Sequence, residues 1–180
     1  MPRNRGGSHH LWIVKGPAGF LKRVQIVITR LFIKIYKDLL ETSKRRKLKS
    51  IGAGTRIGDT KIVCPENVSI GDNTSLGGRV YLYAVDNISI GNNCMIGWNV
   101  AVTTATHDYA KDPMNHVVKK PVNIGNNVWL GMNVTVLPGV NIAEGVVVGA
   151  CSVVTKSIDE KNIVVAGNPA KKFKNRFDQR

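Results

Sequence analysis

The stretch that decides the fold is IGNNVWLGMNVTVLPGVNIAEGVVVGACSVV, residues 124–154. An aliphatic residue returns at every sixth position of this stretch without a slip, at Ile124, Leu130, Val136, Ile142, Val148 and Val154. Evenly spaced strands of a β-sandwich would recur at longer intervals, about 8–12 residues. The six-residue period therefore predicts short strands joined by tight turns and stacked into a solenoid.

The same period continues upstream in three further groups of aliphatic residues, which are Ile51, Ile57 and Val63; Ile70, Leu76 and Leu82; and Ile90, Ile96 and Val102. Three six-residue units close one triangular coil with the aliphatic side chains inside, so residues 51–158 predict about five coils. Strands ~4.8 Å apart would give a prism about 24 Å tall. Nine of these aliphatic residues are followed by glycine, and we expect glycine to supply backbone angles that are strained for other residues.

The longest interruption of the period lies between Val102 and Ile124 and contains His107. Insertions in such a solenoid are tolerated at corners, so residues 103–121 are predicted to form a projecting loop. An imidazole with a pKa near 6.5 is suited to take a proton from an alcohol at neutral pH. Asp108 and Asp112 could orient that imidazole or be solvated acids, and this choice stays open.

The charge is concentrated at the two ends of the chain. The 180 residues carry a net charge of +14; residues 1–50 hold 13 Lys and Arg against 2 acids, and residues 171–180 hold 5 against 1. The body between them is close to neutral, which disfavours a protein that coats nucleic acid along its whole surface. Three distant cysteines without a CxxC pair are typical of reduced thiols in the cytoplasm.

The N-terminal part divides into a polar leader, residues 1–19, which is disordered or a tag, and a basic amphipathic helix, residues 20–50. The helix is too charged to span a bilayer. Its apolar face could cap the open end of the solenoid, as some element must. Residues 20–49 could instead contact an anionic membrane surface, which would place a cytoplasmic protein peripherally on the inner face of the membrane. Both interpretations stay open.

Three segments carry a family resemblance, namely TTATHDY (103–109), NIGNNVWLGMNVTVLPGVNI (123–142) and VGACSVVTKSIDEKNIVVAGNPAKKFK (148–174). With them the chain resembles the hexapeptide-repeat acyltransferases, in particular the group of maltose, galactoside and polysaccharide O-acetyltransferases. The resemblance implies a left-handed parallel β-helix, a homotrimer with sites at subunit junctions, and acetyl-CoA as co-substrate. It leaves residues 159–180 as a C-terminal turn and basic tail.

The resemblance also implies roles for individual residues. His107 matches the general base that deprotonates the acceptor hydroxyl. The positions that match the cofactor-binding segments are Trp129, Gly131, Ala150, Thr155, Lys156, Lys171 and Lys174. No metal site is expected, because the carbonic anhydrases that share this fold use three histidines on zinc, whereas the body of this chain has only His107 and His116. His116 is then a surface residue of the loop.

The activity implied is transfer of an acetyl group to a hydroxyl of a saccharide, either a polysaccharide or a lipid-linked sugar. The galactoside enzymes hold their acceptor with an asparagine where this chain has Gly77, so the acceptor is expected to differ from theirs. Two alternatives within the class are N-acetylation of an amino sugar nucleotide and acetylation of a xenobiotic. A non-catalytic solenoid scaffold is a further alternative, and no nucleic-acid partner is expected.

Overall fold

The protein is described here by a computed structural model, which covers residues 17–112 and 114–178. The chain forms two compact units, Met1–Leu40 and Glu41–Arg180. The described residues of the first unit all belong to helix α1, which spans Pro17–Lys47. The predicted helix, residues 20–50, is therefore present and begins three residues earlier. Residues 1–16 of the predicted leader lie outside the described residues.

The second unit is a solenoid of three parallel sheets. Sheet A contains β1 (Ser50–Ile51), β3 (Val68–Ile70), β6 (Ile88–Ile90), β11 (Val122–Ile124) and β14 (Asn141–Ile142). Sheet B contains β4 (Ser75–Leu76), β7 (Met95–Ile96), β12 (Trp129–Leu130), β15 (Val147–Val148), β17 (Ile163–Gly167) and β18 (Ala170–Asn175). Sheet C contains β2 (Thr60–Val63), β5 (Val80–Tyr83), β8 (Ala101–Thr103), β13 (Thr135–Val136) and β16 (Val153–Val154). A short 3-10 helix, Pro65–Asn67, precedes β3.

The solenoid has five complete coils and part of a sixth. The sixth begins at Ile158, which bridges to Ile142, and continues through β17, which pairs in parallel with β15. Where the sequence predicts a turn and a basic tail over 159–180, β17 and β18 instead form an antiparallel hairpin at the end of sheet B. The Arg176 Nη1 donates to the carbonyls of Asn127 and Gly145, at 2.8 and 2.9 Å, and so fastens the hairpin to the preceding coils.

The predicted aliphatic columns form the core, with one correction in the first coil. Ile57 and the aliphatic residues of the later groups are buried. In β2, however, Ile62 and not Val63 is in register with Leu82. The corner after Ile57 is one residue shorter than the regular repeat, because Gly58 turns with a φ of 42° and the buried Thr60 hydroxyl bonds back to the Ile57 carbonyl. Val63 therefore falls on the outer face.

The expected role of the repeated glycines is also corrected. Of the nine glycines that follow a repeated aliphatic residue, only Gly58 has a positive φ. The left-handed turn positions are held mostly by asparagine, at Asn73, Asn93, Asn99, Asn127 and Asn133. The glycines are needed for close approach: a Cβ on Gly97 would stand 2.8 Å from the carbonyl carbon of Gly131 in the next coil. Asparagine tolerates the left-handed region through its short polar side chain, which leaves glycine free for the crowded position.

The last turn of α1 contacts the first coil. The Arg45 Nη1 donates to the Thr55 carbonyl at 2.7 Å, and Leu48 is buried in the core. These contacts agree with the capping interpretation for the C-terminal end of the helix. In the described part of the chain, no helix has the length and apolar character needed to cross a membrane.

Candidate functional site

His107 lies on a two-stranded antiparallel hairpin that leaves the corner between sheets C and A. The hairpin is formed by β9 (Ala105–His107) and β10 (Val117–Lys119), and His107 is paired with Val117. The predicted loop over 103–121 is therefore present, but its stem is a regular ribbon. The imidazole belongs to an exposed residue, so an acceptor molecule could reach it from solvent.

Thr104 fixes the base of the hairpin. This residue is fully buried, its hydroxyl donates to the Tyr83 carbonyl at 3.0 Å, and the same oxygen accepts the Asp86 N–H at 2.8 Å. On the other side of the stem, the Lys120 N–H donates to the Thr104 carbonyl at 2.8 Å. Sequence reasoning missed Thr104 as a positioning residue, although a polar residue at a core-facing position, two residues after Val102, could have indicated it.

The acids and the second histidine of the loop organise its tip. The Asp108 carboxylate accepts the Ala110 N–H and lies 3.6 Å from the Lys111 ammonium. The Asp112 carboxylate accepts the amide of Asn115, and the backbone of Asp112 contacts His116 Nδ1 at 3.1 Å. The contacts found for these groups lie within the loop. Within residues 17–112 and 114–178 there is no cluster of three His, Cys, Asp or Glu side chains that could hold a metal ion.

A groove of about 240 Å³ lies beside the hairpin at the same corner of the prism. Its walls combine the hairpin residue Thr106 with Thr155 of the fifth coil, and the other residues lining it are Thr103, Ala105, Val118, Lys120, Leu137 and Pro138. Lys156 follows Thr155 and is exposed. The structure therefore brings the hairpin that carries His107 together with one of the predicted cofactor residues, Thr155, and places Lys156 next to it in the chain at the same corner.

Trp129, Gly131 and Ala150 lie elsewhere, on sheet B and at its corner with sheet C. Trp129 is 47% exposed on the outer face of β12. A Cβ on Gly131 would stand 2.7 Å from the amide nitrogen of Ala150, so Gly131 sets the position of that residue. Ala150 is exposed and lies outside the strands; no described residue accepts a hydrogen bond from its N–H. An exposed N–H of this kind is suited to bind an amide carbonyl of a ligand.

Two of the three lysines in β18 are available to bind an anion. The Lys172 ammonium is paired with the Glu160 carboxylate at 2.6 Å, whereas no described carboxylate pairs with Lys171 or Lys174. Lys174 is paired with Val164, which continues through Val147 to Trp129, so these residues share one outer row of sheet B. Three strand spacings separate Lys174 from Trp129, about 14 Å.

The predicted site residues thus fall into two groups on different parts of the prism. His107, Thr155 and Lys156 belong to the corner between sheets C and A, and the others belong to sheet B and its corner with sheet C. Six residue steps, from Gly131 to Leu137, separate the two corners within one coil, which corresponds to at most roughly 20 Å at about 3.3 Å per residue. A single chain does not bring the two groups into contact.

Comparisons with known proteins place the chain in a family. Residues 121–156 match the family description "Bacterial transferase hexapeptide (six repeats)", and residues 67–104 match "Hexapeptide repeat of succinyl-transferase". The chain is 41% identical over 139 residues to the acetyltransferase-family protein SAR2635 of Staphylococcus aureus (strain MRSA252), which covers 73% of this chain and 69% of that protein.

Two solved structures show the same architecture. One is the hexapeptide-repeat acetyltransferase VCA0836 of Vibrio cholerae in complex with acetyl coenzyme A, with 28% identity, a TM-score of 0.71 and coverage of 75% of both chains. The other is a maltose O-acetyltransferase of Clostridium difficile 630, with 32% identity, a TM-score of 0.68 and coverage of 75% of this chain and 73% of that one.

The fold and the repeat define an acyltransferase built on a β-solenoid. The chain belongs to the hexapeptide-repeat acetyltransferase family, and the predicted fold class, a left-handed parallel β-helix with one N-terminal helix, is confirmed. The prediction that the protein is an enzyme of the acyltransferase class is confirmed as well.

Proposed function

We propose that this protein is a cytoplasmic, acetyl-CoA-dependent O-acetyltransferase whose acceptor is a hydroxyl of a saccharide, either a polysaccharide or a lipid-linked sugar. The observation that carries the proposal is the position of His107. It is held on a hairpin whose base is anchored by buried Thr104 and whose side borders a groove shared with Thr155. The structural neighbours that bind acetyl-CoA or coenzyme A support the choice of donor.

The reaction requires one proton acceptor and one activated acetyl group. His107 takes the proton of the acceptor hydroxyl as the acceptor oxygen forms a bond to the acetyl carbon. When bound, acetyl-CoA supplies that acetyl group as a thioester; the carbon–sulfur bond breaks, and the proton held by His107 is the one that the departing sulfur can take. The acceptor ester and CoA thiol then account for all atoms and electrons.

The described residues fit the chemistry of the donor. The exposed N–H of Ala150 suits an amide of the pantetheine arm, and the ammonium groups of Lys171 and Lys174, with which no described carboxylate pairs, suit phosphate oxygens. Trp129 offers an exposed aromatic surface on sheet B, in the same outer row as Lys174. Thr155 and Lys156 lie at the corner that also carries the His107 hairpin, where the thioester must arrive.

A stacked pair of tyrosines supports a saccharide acceptor. The rings of Tyr81 and Tyr83 lie 6.2 Å apart at 17° on the outer face of sheet C, and the Lys61 ammonium lies 5.5 Å from the centre of the Tyr81 ring. Tyr83 is paired with Thr103, at the base of the His107 hairpin. Tyrosine has an apolar ring face and a polar hydroxyl, which match the two kinds of surface on a sugar.

A homotrimer would complete the site, because the two groups of residues lie at different corners of one prism. In a closed ring of three copies, the corner of one subunit that carries His107 can face sheet B of its neighbour. The exposed apolar residues of sheet B and its corner support such an interface; they are Met95, Trp98, Trp129 and Met132. The sedimentation coefficient of the purified protein would test the trimer directly.

The first experiment is calorimetric titration of acetyl-CoA into the wild type and into Lys171→Ala/Lys174→Ala. We expect micromolar binding that weakens at least about tenfold in the double variant, because charge-assisted hydrogen bonds contribute about 1.5–3 kcal/mol each. Lys172→Ala is the matched control, since that ammonium is already paired with Glu160. No binding to a well-folded wild type would contradict the proposal and favour the scaffold alternative.

The acceptor is then sought by following CoA release with saccharides, lipid-linked saccharides, amino sugar nucleotides and aminated xenobiotics, with His107→Ala as the inactive control. Turnover of only an amine-bearing acceptor would contradict O-acetylation while leaving the donor site intact. A Tyr83→Ala variant should raise the KM for a saccharide and leave acetyl-CoA affinity unchanged.

Mixed assemblies test whether the site is shared between subunits. His107→Ala and Lys171→Ala/Lys174→Ala chains, co-expressed, should regain activity at low acetyl-CoA concentration, since about a quarter of the sites in random trimers combine two intact halves. Activity no higher than the mean of the two separate variants would show that each site lies within one chain.

A further inference from the structure

The described part of the first unit exposes a large apolar surface. Eleven apolar side chains between residues 24 and 40 are each at least 37% exposed, and Phe32 reaches 68%. They are Val24, Ile26, Val27, Ile28, Leu31, Phe32, Ile33, Ile35, Tyr36, Leu39 and Leu40. Soluble monomers rarely leave so much contiguous apolar surface in water, so this part of α1 indicates an interaction surface.

The basic residues of the same segment are gathered on one side. Arg23, Arg30 and Lys34 are separated by seven and four residues, so they fall within roughly 40° of each other on a helix that turns about 100° per residue. The apolar side chains spread over the remaining arc, about 260° wide, which also contains Gln25 and Thr29, whose hydroxyl donates to the Gln25 carbonyl, and Asp38 near its edge. All three basic residues are exposed, and Glu41, the acid that directly follows the segment, is paired with Arg45.

The width of the apolar arc indicates what covers it. A coiled-coil partner buries a narrow seam, about two positions in seven. Such a seam would leave most of the eleven apolar residues in water. A bilayer surface can receive a broad apolar face, while arginine and lysine side chains reach from the same helix to anionic headgroups.

We infer that residues 23–40 of α1 bind in the plane of a membrane interface that contains anionic lipid. The apolar arc centred near Phe32 and Leu39 faces the acyl chains, and Arg23, Arg30 and Lys34 face the lipid phosphates. The inference is independent of the donor and acceptor proposed above, since it rests only on the exposure and charge pattern of the helix.

The test is co-sedimentation of the full chain with vesicles of phosphatidylcholine alone and of phosphatidylcholine with phosphatidylglycerol. We expect strong partition onto the anionic vesicles only. Arg23→Gln/Arg30→Gln/Lys34→Gln should lower that partition about a hundredfold, at roughly fivefold for each basic residue at the surface. Phe32→Ser/Leu39→Ser should lower it by a similar factor or more through lost apolar burial.

A matched control removes the same charge from the solenoid, in Arg56→Gln/Lys119→Gln/Lys161→Gln. These residues are exposed on the solenoid and lie outside the segment 23–40 assigned to the interface, so this variant should change partition less than about threefold. Equal partition onto neutral and anionic vesicles, or none onto either, would overturn the inference. The inference would also be overturned if the wild type did not bind vesicles and Phe32→Ser/Leu39→Ser dissociated its oligomer, because the apolar face would then be covered by another copy of the chain.

Discussion

A pair of glycine substitutions separates packing from cofactor binding. A Cβ on Gly97 would stand 2.8 Å from the carbonyl carbon of Gly131, and a Cβ on Gly131 would stand 2.7 Å from the nitrogen of Ala150. Both obstacles are backbone atoms of the next coil, which neighbouring strands hold in place. Gly97→Ala and Gly131→Ala therefore impose nearly the same strain at successive levels of one corner.

The expected cost follows from that geometry. Overpacking of a well-packed site costs about 1–3 kcal/mol, which exceeds the gain of about 0.4–1 kcal/mol from the reduced entropy of the unfolded chain. For a chain of this length, each 1 kcal/mol shifts Tm by about 2–4 °C, so each variant should melt a few degrees below the wild type. Only Gly131→Ala displaces Ala150, so only that variant should also bind acetyl-CoA more weakly, by about tenfold for one lost hydrogen bond.

The assays are thermal unfolding by circular dichroism and calorimetric titration of acetyl-CoA well below Tm. Gly149→Ala is a milder comparison, because its Cβ would meet the Ala166 side chain at 3.0 Å rather than backbone. Unchanged Tm in both Gly97→Ala and Gly131→Ala would refute the close-approach argument. Equal loss of acetyl-CoA affinity in both would show that the effect on binding is a general consequence of strain.

Three further predictions address the hairpin, the buried thiol and the C-terminal hairpin. Thr104→Val should leave the Asp86 N–H without its acceptor and destabilise the protein by about 1–3 kcal/mol. We expect kcat to fall while the Kd for acetyl-CoA stays unchanged. A kcat equal to that of the wild type would show that the hairpin does not need this anchor. Burial raises the pKa of the Cys94 thiol, so the unfolded chain loses this proton at a lower pH than the folded chain, and the free energy of unfolding should fall as pH rises above about 8.5. Cys94→Thr should reduce that fall, because it removes the thiol and places at this corner the residue type found as Thr55 and Thr74 in the preceding coils. Identical dependence of stability on alkaline pH in the two proteins would contradict the assignment to Cys94. Arg176→Ala should lower Tm more than Lys172→Ala, since Arg176 donates to two carbonyls of the preceding coils whereas Lys172 forms one exposed ion pair. A smaller Tm shift in Arg176→Ala than in Lys172→Ala would mean that the hairpin is held by β17 alone.

The six-residue period was sufficient to predict the solenoid, its core and the corner from which the loop projects. A coil of three units buries the same side-chain position in every unit, so the fold produces a short, regular pattern of aliphatic residues in the sequence. The same reasoning predicted that Val63 points into the core, where the structure has Ile62. Both residues are aliphatic, so the sequence pattern does not show that the corner at Gly58 is one residue shorter.

The reason for the glycines could not be read from the sequence. Glycine serves both for positive φ and for close approach, and only the distance between coils shows that Gly97 and Gly131 are in the second class. In the same way, the sequence does not distinguish Lys171, Lys172 and Lys174. Only the position of the Glu160 carboxylate in the structure shows that Lys172 is the one in an ion pair.

The sequence by itself determined the solenoid and the N-terminal helix, since both follow from local periodicity. The family resemblance carried by three short segments predicted the hand of the coil and the residues suited to acetyl transfer. Only the tertiary structure decided where those residues stand. It placed His107, Thr155 and Lys156 at one corner of the prism and Trp129, Gly131, Ala150, Lys171 and Lys174 around sheet B. Whether two distant positions of the chain reach the same corner depends on the number of residues in each coil between them. That number is fixed by the turns of the folded solenoid.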